Sequence, residues 1–165
     1  AVRLCQAVFQ MPDVRLKLLS GAPRSYLESQ GLLREGVCCE MVSRDEVPQR
    51  LSEADIVLLP HGFTGSRSDV EYRTIFPTRV IELLICGRPI LAHSPPDCFL
   101  TRFLREHDCA LVVDKPSHSA LQEAIRRLAT DDALRARLTG NALVAASRFQ
   151  ADKVAATLRS YLDKV

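Results

Sequence analysis

Short apolar runs separated by amphipathic stretches set the pattern of this 165-residue chain. Each run has the length of a β-strand and is continuously apolar, which is typical of strands in a parallel sheet covered on both faces. The predicted strands span residues 14–19, 37–42, 55–59, 89–92 and 110–113. Because strands alternate with helices, we expect right-handed crossovers and a doubly wound α/β domain with helices on both faces of the sheet.

The segments between the strands carry helix signals. Ser43 and Glu46 form a capping box, with Ser43 as the N-cap and Glu46 reaching back to it. Pro77 suits the first turn of a later helix, because its missing N–H costs nothing there, and Gly87 suits the C-terminal end of that helix. A second capping box is predicted to begin at Ser119.

The two ends of the chain are helical in pattern. Leucines 134 and 138 mark one late helix and residues 154, 158 and 162 mark the last, with no strand between them. This helical tail is expected to pack on the outside of the sheet or toward a partner domain. The first ten residues predict an amphipathic helix, whereas a doubly wound domain usually opens on a strand. The 165 residues therefore predict one domain of a longer protein, whose first strand and a further domain lie upstream.

Composition excludes several classes of protein. The 22 basic residues are scattered and the net charge is only +2, so there is no clustered footprint for nucleic acid. No apolar run approaches the roughly 20 residues that a membrane-spanning helix needs. The six cysteines form no CxxC pair, and no Cys/His spacing predicts a metal site. Buried free thiols in a reducing, cytoplasmic compartment are the expected state of these cysteines.

Ligands of open α/β sheets bind outside the carboxyl ends of the strands. The segments that fall there are 20–23, 42–43, 60–76 and 93–97. Gly21 could let the backbone approach a phosphate, although an ordinary turn after a strand is the simpler interpretation. Asp97 is expected to cap the helix that follows it.

The segment 60–76 is long for a connection in such a domain and is predicted to lack secondary structure of its own. Long segments of this kind are usually functional or disordered. His61, Glu71 and Arg73 could each face a substrate, and the alternative for each is a solvated side chain.

The most informative segment is 76–89. A helix that opens at Pro77 and Thr78 presents free backbone N–H groups, which suit an anion, and Arg79 adds a forked donor for phosphate oxygens. Glu82 lies one turn beyond Thr78, where a carboxylate can accept hydrogen bonds from both hydroxyls of a ribose. The alternative is an amphipathic helix whose Arg79 and Glu82 are merely solvated.

Three stretches in this order resemble a known family. They read ADIVLLP at 54–60, FPTRVIE at 76–82 and CGRPI at 86–90. The pattern resembles the C-terminal, donor-binding domain of GT-B-fold glycosyltransferases of the "group 1" type, and weaker likeness in the flanks extends over nearly the whole chain. The resemblance implies a Rossmann-like fold, half of a GT-B enzyme, that binds a nucleotide sugar.

The resemblance also implies a reaction and a set of contacts. It implies retaining transfer of a sugar from a nucleotide diphosphate to an unknown acceptor, with neither a bound metal nor a cofactor. Glu82 matches the second glutamate of the family's Glu-x7-Glu motif, which binds the ribose. Thr78 and Arg79 match positions near the diphosphate, and Val42 and Ser43 match the strand end that lines the nucleobase.

The chain departs from the family pattern in one important place. Thr74 stands where the motif has its first glutamate, so the family's glutamate contact to the sugar has no match there, and Glu71 could supply it only if the segment bends suitably. The acceptor-binding domain and the catalytic residues are expected to lie outside the chain, together with any contact to a membrane. The isolated domain is therefore expected to be inactive.

Two other functions remain open. One is a sugar-nucleotide epimerase of the same fold. The other is a non-catalytic, flavodoxin-like binding or signalling module. The second is disfavoured, because Ser20 and Gly21 follow the first predicted strand where a receiver module needs an acidic cluster.

Overall fold

The computed structural model describes residues 1–34, 37–63 and 68–163. In these ranges the strands are β1 (Lys17–Leu19), β2 (Cys38–Glu40), β3 (Val57–Pro60), β4 (Ile90–His93) and β5 (Leu111–Val113). The helices are α1 (Val2–Phe9), α2 (Arg24–Ser29), α3 (Val47–Ser52), α4 (Asp69–Thr74), α5 (Arg79–Ile85), α6 (Phe99–Glu106), α7 (His118–Thr130), α8 (Asp132–Ala146) and α9 (Ala151–Leu162). All five predicted strands are confirmed, each within or beside its predicted range.

The strands form two parallel sheets. β1 pairs with β2, with Lys17 opposite Cys38. β3, β4 and β5 form the second sheet in that order, with Val57 opposite Ile90 and Leu91 opposite Leu111. The parallel pairing confirms that crossovers join the strands, because parallel neighbours need a long connection between them. The right-handed sense of these crossovers stays a prediction.

Strand β4 is buried on both faces along its whole length. Ile90 and Ala92 point into a core formed with α5, α6 and the end of α8. Leu91 points the opposite way, into a core formed with α1, α7 and the start of α8. Successive side chains of a strand face opposite sides, so a continuously apolar strand needs helices on both sides. The predicted doubly wound α/β architecture is confirmed.

Local signals placed several helix ends correctly. The Glu46 carboxylate accepts hydrogen bonds from the backbone N–H of Ser43 at 2.9 Å and from its hydroxyl at 2.7 Å, and a short 3₁₀ turn over 44–46 then leads into α3. Gly87 lies just beyond α5 in the left-handed region, with φ of 72°. Both match the caps that the sequence predicted.

The second predicted capping box is wrong. The N-cap of α7 is Ser117, whose hydroxyl accepts the N–H of Ala120, so Ser119 lies within the first turn. The Gln122 amide does not reach back along its own helix. It donates to the carbonyl of Ala7 at 3.1 Å and so joins α7 to α1. The predicted capping box needed the Gln122 side chain. That side chain instead makes a contact between two helices, which the local sequence does not reveal.

The last helix does not pack on the sheet. The apolar side chains of α9 remain exposed, with Val154 at 51%, Leu158 at 59% and Leu162 at 65%. Helix α8, in contrast, buries Leu134 and Leu138 in the core with α1 and α7, and its C-terminal end packs against α5. The helical tail is confirmed, but of the two expected positions for its last helix the sheet surface is excluded.

The cysteines are all free, and only some are buried. Cys5, Cys98 and Cys109 are buried, and burial raises the pKa of the Cys109 thiol to about 11, which leaves it protonated and unreactive. Cys38 is exposed, because its position in β2 points outward. The expectation of buried thiols therefore holds for three of the six cysteines and is wrong for Cys38.

The positive φ of Gly87 predicts a cost for any side chain there. The space around its missing Cβ is open, so Gly87→Ala should lower the free energy of unfolding through backbone strain alone, by about 1 kcal/mol. Gly140→Ala is the matched control. It also enters open space, but it lies inside α8 and should stabilise the protein slightly. Urea unfolding measures both, and equal effects of the two changes would contradict the prediction.

Candidate functional site

Because all the strands are parallel within their sheets, their carboxyl ends lie at one edge of each sheet. The segments that leave this edge include the predicted ones: 20–23 after β1, 42–43 after β2, 60–76 after β3 and 93–97 at the end of β4. Helix α5 also begins on this side, since it returns the chain from the end of β3 to the start of β4. The candidate site is therefore the surface above these carboxyl ends.

A buried histidine ends β4. The side chain of His93 is at the centre of a hydrogen-bonded group, and the residue is only 3% exposed. Its Nδ1 lies 3.0 Å from the carbonyl oxygen of Val113, and its Nε2 lies 3.4 Å from Nη1 of Arg3. A guanidinium can only donate, so these partners assign the proton to Nδ1 and the acceptor role to Nε2.

The surroundings of His93 keep its imidazole neutral. Burial is the main cause that lowers the pKa of His93, and the nearby charges of Arg3 and His118 lower it further. The hydrogen bond to the Val113 carbonyl opposes these effects. A neutral ring is what the acceptor role of Nε2 requires.

Arg3 reaches this edge from the first turn of α1. Its Cζ lies 5.5 Å from the ring centroid of Phe63, and that ring lies 4.6 Å from the ring of His93. The three side chains thus form one cluster, here called the Arg3 cluster, built from α1, the segment after β3, and β4. Sequence reasoning missed Arg3. No local pattern marked it, because its partners lie far away along the chain.

His61 is held inside the protein. It is 9% exposed, its backbone N–H donates to the carbonyl of His93 at 2.8 Å, and its Nε2 lies 3.3 Å from the carbonyl oxygen of Tyr72. Its side chain therefore links the end of β3 to α4.

The predicted long loop at 60–76 contains a helix, so the expectation of no secondary structure is wrong. Residues 64–67 lie outside the described residues. Ser68 caps α4 by accepting the N–H of Glu71 at 3.3 Å. Glu71 and Arg73 are exposed on this helix, and the hydroxyl of Thr74 donates back to the carbonyl of Val70 at 2.8 Å. Thr74 stands where the family has its first glutamate, and its hydroxyl is therefore already hydrogen-bonded within its own helix.

An aromatic cluster anchors the start of the most informative segment. The ring of Phe76 lies 5.0 Å from that of Phe103, 5.5 Å from that of Phe149 and 5.8 Å from that of Phe99. Aromatic pairs at these distances add to the stability that comes from burial. The cluster fixes the chain immediately before Pro77 and so positions the first turn of α5.

Helix α5 begins at Arg79, two residues after Pro77, and two amides of its first turn are already hydrogen-bonded. Val80 N–H donates to the carbonyl of Pro77 at 2.9 Å, and Ile81 N–H donates to that of Thr78 at 3.1 Å. Thr78 already has helical φ and ψ, so the turn closes on itself and leaves fewer free N–H groups for an anion than the sequence argument assumed. The side chains of Thr78, Arg79 and Glu82 are exposed. What this helix can offer a ligand is chiefly side-chain chemistry.

Gly21 does not need to be glycine for its backbone. It is exposed, its φ is not positive, and nothing lies within 4 Å of where a Cβ would be. The turn is held by Ser20, whose hydroxyl accepts the N–H of Ala22 at 3.1 Å.

Val42 is half-buried and Ser43 is exposed, with its hydroxyl bound to Glu46.

Buried hydrogen bonds hold the loop after β4, and the helix that follows is capped differently from the prediction. The N-cap of α6 is Cys98, whose Sγ accepts the N–H of Thr101, while Asp97 is exposed. Thr101 is fully buried. Its hydroxyl donates to the carbonyl of Pro95 at 2.7 Å and lies 2.5 Å from the hydroxyl of Ser94. The expectation that Asp97 caps this helix is wrong, because a buried thiol takes the place of the carboxylate.

Two surface cavities, of about 230 and 210 Å³, lie elsewhere. The first is lined by residues of α8 with His107, and the second by residues around Phe9 and Arg34. Neither is lined by a predicted binding residue.

In the part of the chain that the structure describes, no three His, Cys, Asp or Glu side chains are grouped as metal ligands, and no helix is long and apolar enough to cross a membrane.

The family comparison gives a match over most of the chain. A family model described as glycosyl transferase-like matches residues 3–160. No curated protein matches the chain.

Two solved structures share the fold. One is WaaG, a glycosyltransferase involved in lipopolysaccharide biosynthesis, with 22% sequence identity, a TM-score of 0.61 and coverage of 88% of this chain. The other is sucrose-phosphate synthase from Thermosynechococcus elongatus, with 18% identity, a TM-score of 0.71 and coverage of 98%. The chain spans only 38% and 41% of these two proteins, respectively.

The lowered pKa of His93 predicts a pH dependence of stability. Below about pH 6.5 the unfolded chain binds a proton at this histidine that the folded chain resists, so the free energy of unfolding should fall as pH drops from about 6.5 toward the lower folded pKa. His93→Gln should make this decline shallower. Urea unfolding at about pH 7.5 and 5.5 measures it, with His107→Gln, outside the Arg3 cluster, as the control. Equal slopes in the wild type and His93→Gln would contradict the prediction.

Proposed function

This chain belongs to the glycosyl transferase-like family, and we propose that it is the donor-binding half of a retaining glycosyltransferase. Its ligand is a nucleotide-diphosphate sugar, bound above the carboxyl ends of the strands. The observation that carries the proposal is the start of α5, which begins at this edge with Thr78, Arg79 and Glu82 all exposed. A hydroxyl, a guanidinium and a carboxylate on one short helix suit phosphate oxygens and ribose hydroxyls together.

The positions of these side chains along α5 assign each of them to a different part of the ligand. Thr78 and Arg79 bind the diphosphate, and Arg79 supplies two parallel N–H donors to its oxygens. Glu82 lies about 6 Å further along the helix axis, where its carboxylate accepts hydrogen bonds from the ribose. Because two nearby amides are already bonded, these side chains supply most of the affinity.

The remaining predicted residues surround this position. Val42 and Ser43 follow the end of β2 and line the side of the nucleobase, and Gly21 follows the end of β1, where its backbone approaches the phosphates. Glu71 and Arg73, exposed on α4, face the sugar side, where the hydroxyl of Thr74 is already occupied. No metal or cofactor takes part in the proposed binding.

We also propose that a further parallel strand lies between the two sheets. At the two ends of β1, the carbonyl of Leu16 and the N–H of Ser20 bond to β2. Backbone groups alternate in direction along a strand, so those of Lys17 and Leu19 point to the lateral side of β1 away from β2. The N–H of Val57 in β3 and that of His61 just after it bond to β4. The N–H of Leu58 therefore points to the lateral side of β3 away from β4.

These two sides of β1 and β3, which no strand of the described residues covers, belong to one core. Leu18 in β1 and Leu58 in β3, with the preceding Leu16 and Ile56, pack into the same apolar cluster, although β1 and β3 do not pair. An unpaired edge inside a domain leaves strong hydrogen-bonding groups unsatisfied, and one inserted strand would satisfy both edges. We assign this strand to a segment of the longer protein outside these 165 residues.

Hydrogen exchange tests this completion of the sheet. In a longer version of the protein, the N–H groups of Lys17, Leu19 and Leu58 should exchange more slowly than in the 165-residue chain. The N–H groups of Val57 and His61, which already bond to β4, are the internal control. Unchanged exchange at the first three positions would reject the inserted strand.

The complete reaction needs more than this chain. We propose that a second domain of a longer, cytoplasmic enzyme binds the acceptor and supplies the catalytic residues, so that the isolated chain transfers no sugar. The coverage of about two fifths of each solved structure supports this division of labour.

Calorimetry with UDP, GDP and the other nucleoside diphosphates tests donor binding. One of them should bind the chain, and Glu82→Ala should weaken that binding about tenfold, because the ribose loses hydrogen bonds to a charged group. Glu123→Ala, which removes an exposed glutamate of α7, should leave the affinity unchanged. A folded sample that binds no nucleotide would overturn the proposal.

A further inference from the structure

Arg3 is a cation at the candidate ligand edge that no family motif assigns. It lies in the first turn of α1, and its guanidinium extends to the end of β4, where His93 accepts one of its hydrogen bonds at 3.4 Å. Its Cζ lies over the Phe63 ring, 5.5 Å from the ring centroid. A planar guanidinium held by an acceptor and an aromatic face has a defined orientation.

The charge of Arg3 has no acidic partner among the residues that the structure describes. The ion pairs found there join other residues, and Asp114, the first acidic residue after β5, is bound by Arg105 at 2.7 Å. The charged groups that act on the pKa of His93 lower it, which is the effect of positive rather than acidic neighbours.

The position of Arg3 is costly for a cation that lacks an acidic partner. Arg3 is half-buried, so its charge loses part of its hydration. An anion bound at this place would offset that cost.

The guanidinium also keeps donors for a ligand. It has five N–H donors in a fixed fork, and the hydrogen bond to His93 uses one of them. The free donors lie at the carboxyl edge of the sheet, where the proposed function places a diphosphate. Phosphate oxygens match this fork, and such charge-assisted bonds are stronger than neutral ones.

We propose that Arg3 is an anion-binding residue and that it binds the diphosphate of the nucleotide ligand. His93 and Phe63 are positioning residues that hold the guanidinium above the strand ends. This inference rests on the proposed function for the identity of the ligand, whereas the preference for a phosphate group rests on the Arg3 cluster alone.

The test compares two arginines of the same fold. Arg3→Gln removes the proposed contact, and Arg88→Gln is the matched control. Arg88 is also half-buried, but it lies at the opposite end of β4, where its Nε donates to the carbonyl of Ser52 at 2.7 Å. Each variant is titrated by calorimetry with the nucleoside diphosphate that binds the wild type and with inorganic pyrophosphate. Circular dichroism and thermal unfolding check that each variant is folded.

Arg3→Gln should bind both ligands about tenfold more weakly or worse, and the binding that remains should depend less on salt concentration. Arg3→Lys, which keeps the charge but not the fork, should fall between Arg3→Gln and the wild type. Arg88→Gln should match the wild type. If Arg3→Gln does not fold, binding by Arg3→Lys that is clearly weaker than that of Arg88→Gln supports the contact, and equal binding by these two overturns it.

The outcomes separate this inference from the proposed function. If the wild type binds a nucleotide and folded Arg3→Gln binds it equally well, the Arg3 inference is wrong and the proposed function stands. If the wild type binds pyrophosphate through Arg3 but binds no nucleotide, the inference stands and the proposed function fails. If the wild type binds neither ligand, both are overturned.

Discussion

The burial of β4 on both faces is the constraint on which the rest of the structure depends. Ile90 and Ala92 on one side and Leu91 on the other are fully buried, so helices must cover both faces of the sheet. The chain covers both faces by crossing from one strand to the next through helices, and such crossovers leave the paired strands parallel. Parallel strands in turn bring their carboxyl ends, and the polar residues that follow them, to one edge.

That edge combines rigid supports with exposed side chains. The loop after β4 is fixed by the buried hydroxyls of Ser94 and Thr101, and the start of α5 is fixed by the aromatic cluster around Phe76. The exposed residues of α5 are thus presented by well-supported backbone, which reduces the ordering that a ligand would have to impose on binding. His93 has a different role. It is buried and neutral, so it can orient Arg3 without itself binding the anion.

The differences between expectation and structure share a cause. Ser119, Asp97 and the helix start at Pro77 were assigned from local patterns, and in each case a neighbouring group offered a better partner. Ser117 and Cys98 took the capping positions, while the carbonyls of the turn before α5 took amides that the pattern left free. Residues with small polar side chains or thiols cluster near helix starts, so the pattern identifies the turn reliably but not which residue closes it.

The sequence by itself determined the five strands, the helical tail, the Ser43 cap and the stop at Gly87, because apolar periodicity and the backbone preferences of single residues act over a few positions. It also indicated the family, through the order of three short stretches. Only the tertiary structure decided that Gln122 joins α7 to α1, that α9 keeps its apolar side chains exposed, and that Arg3 meets His93 across 90 positions of chain. Such contacts depend on how whole elements pack, and side chains brought together by packing leave no periodic signal in the sequence.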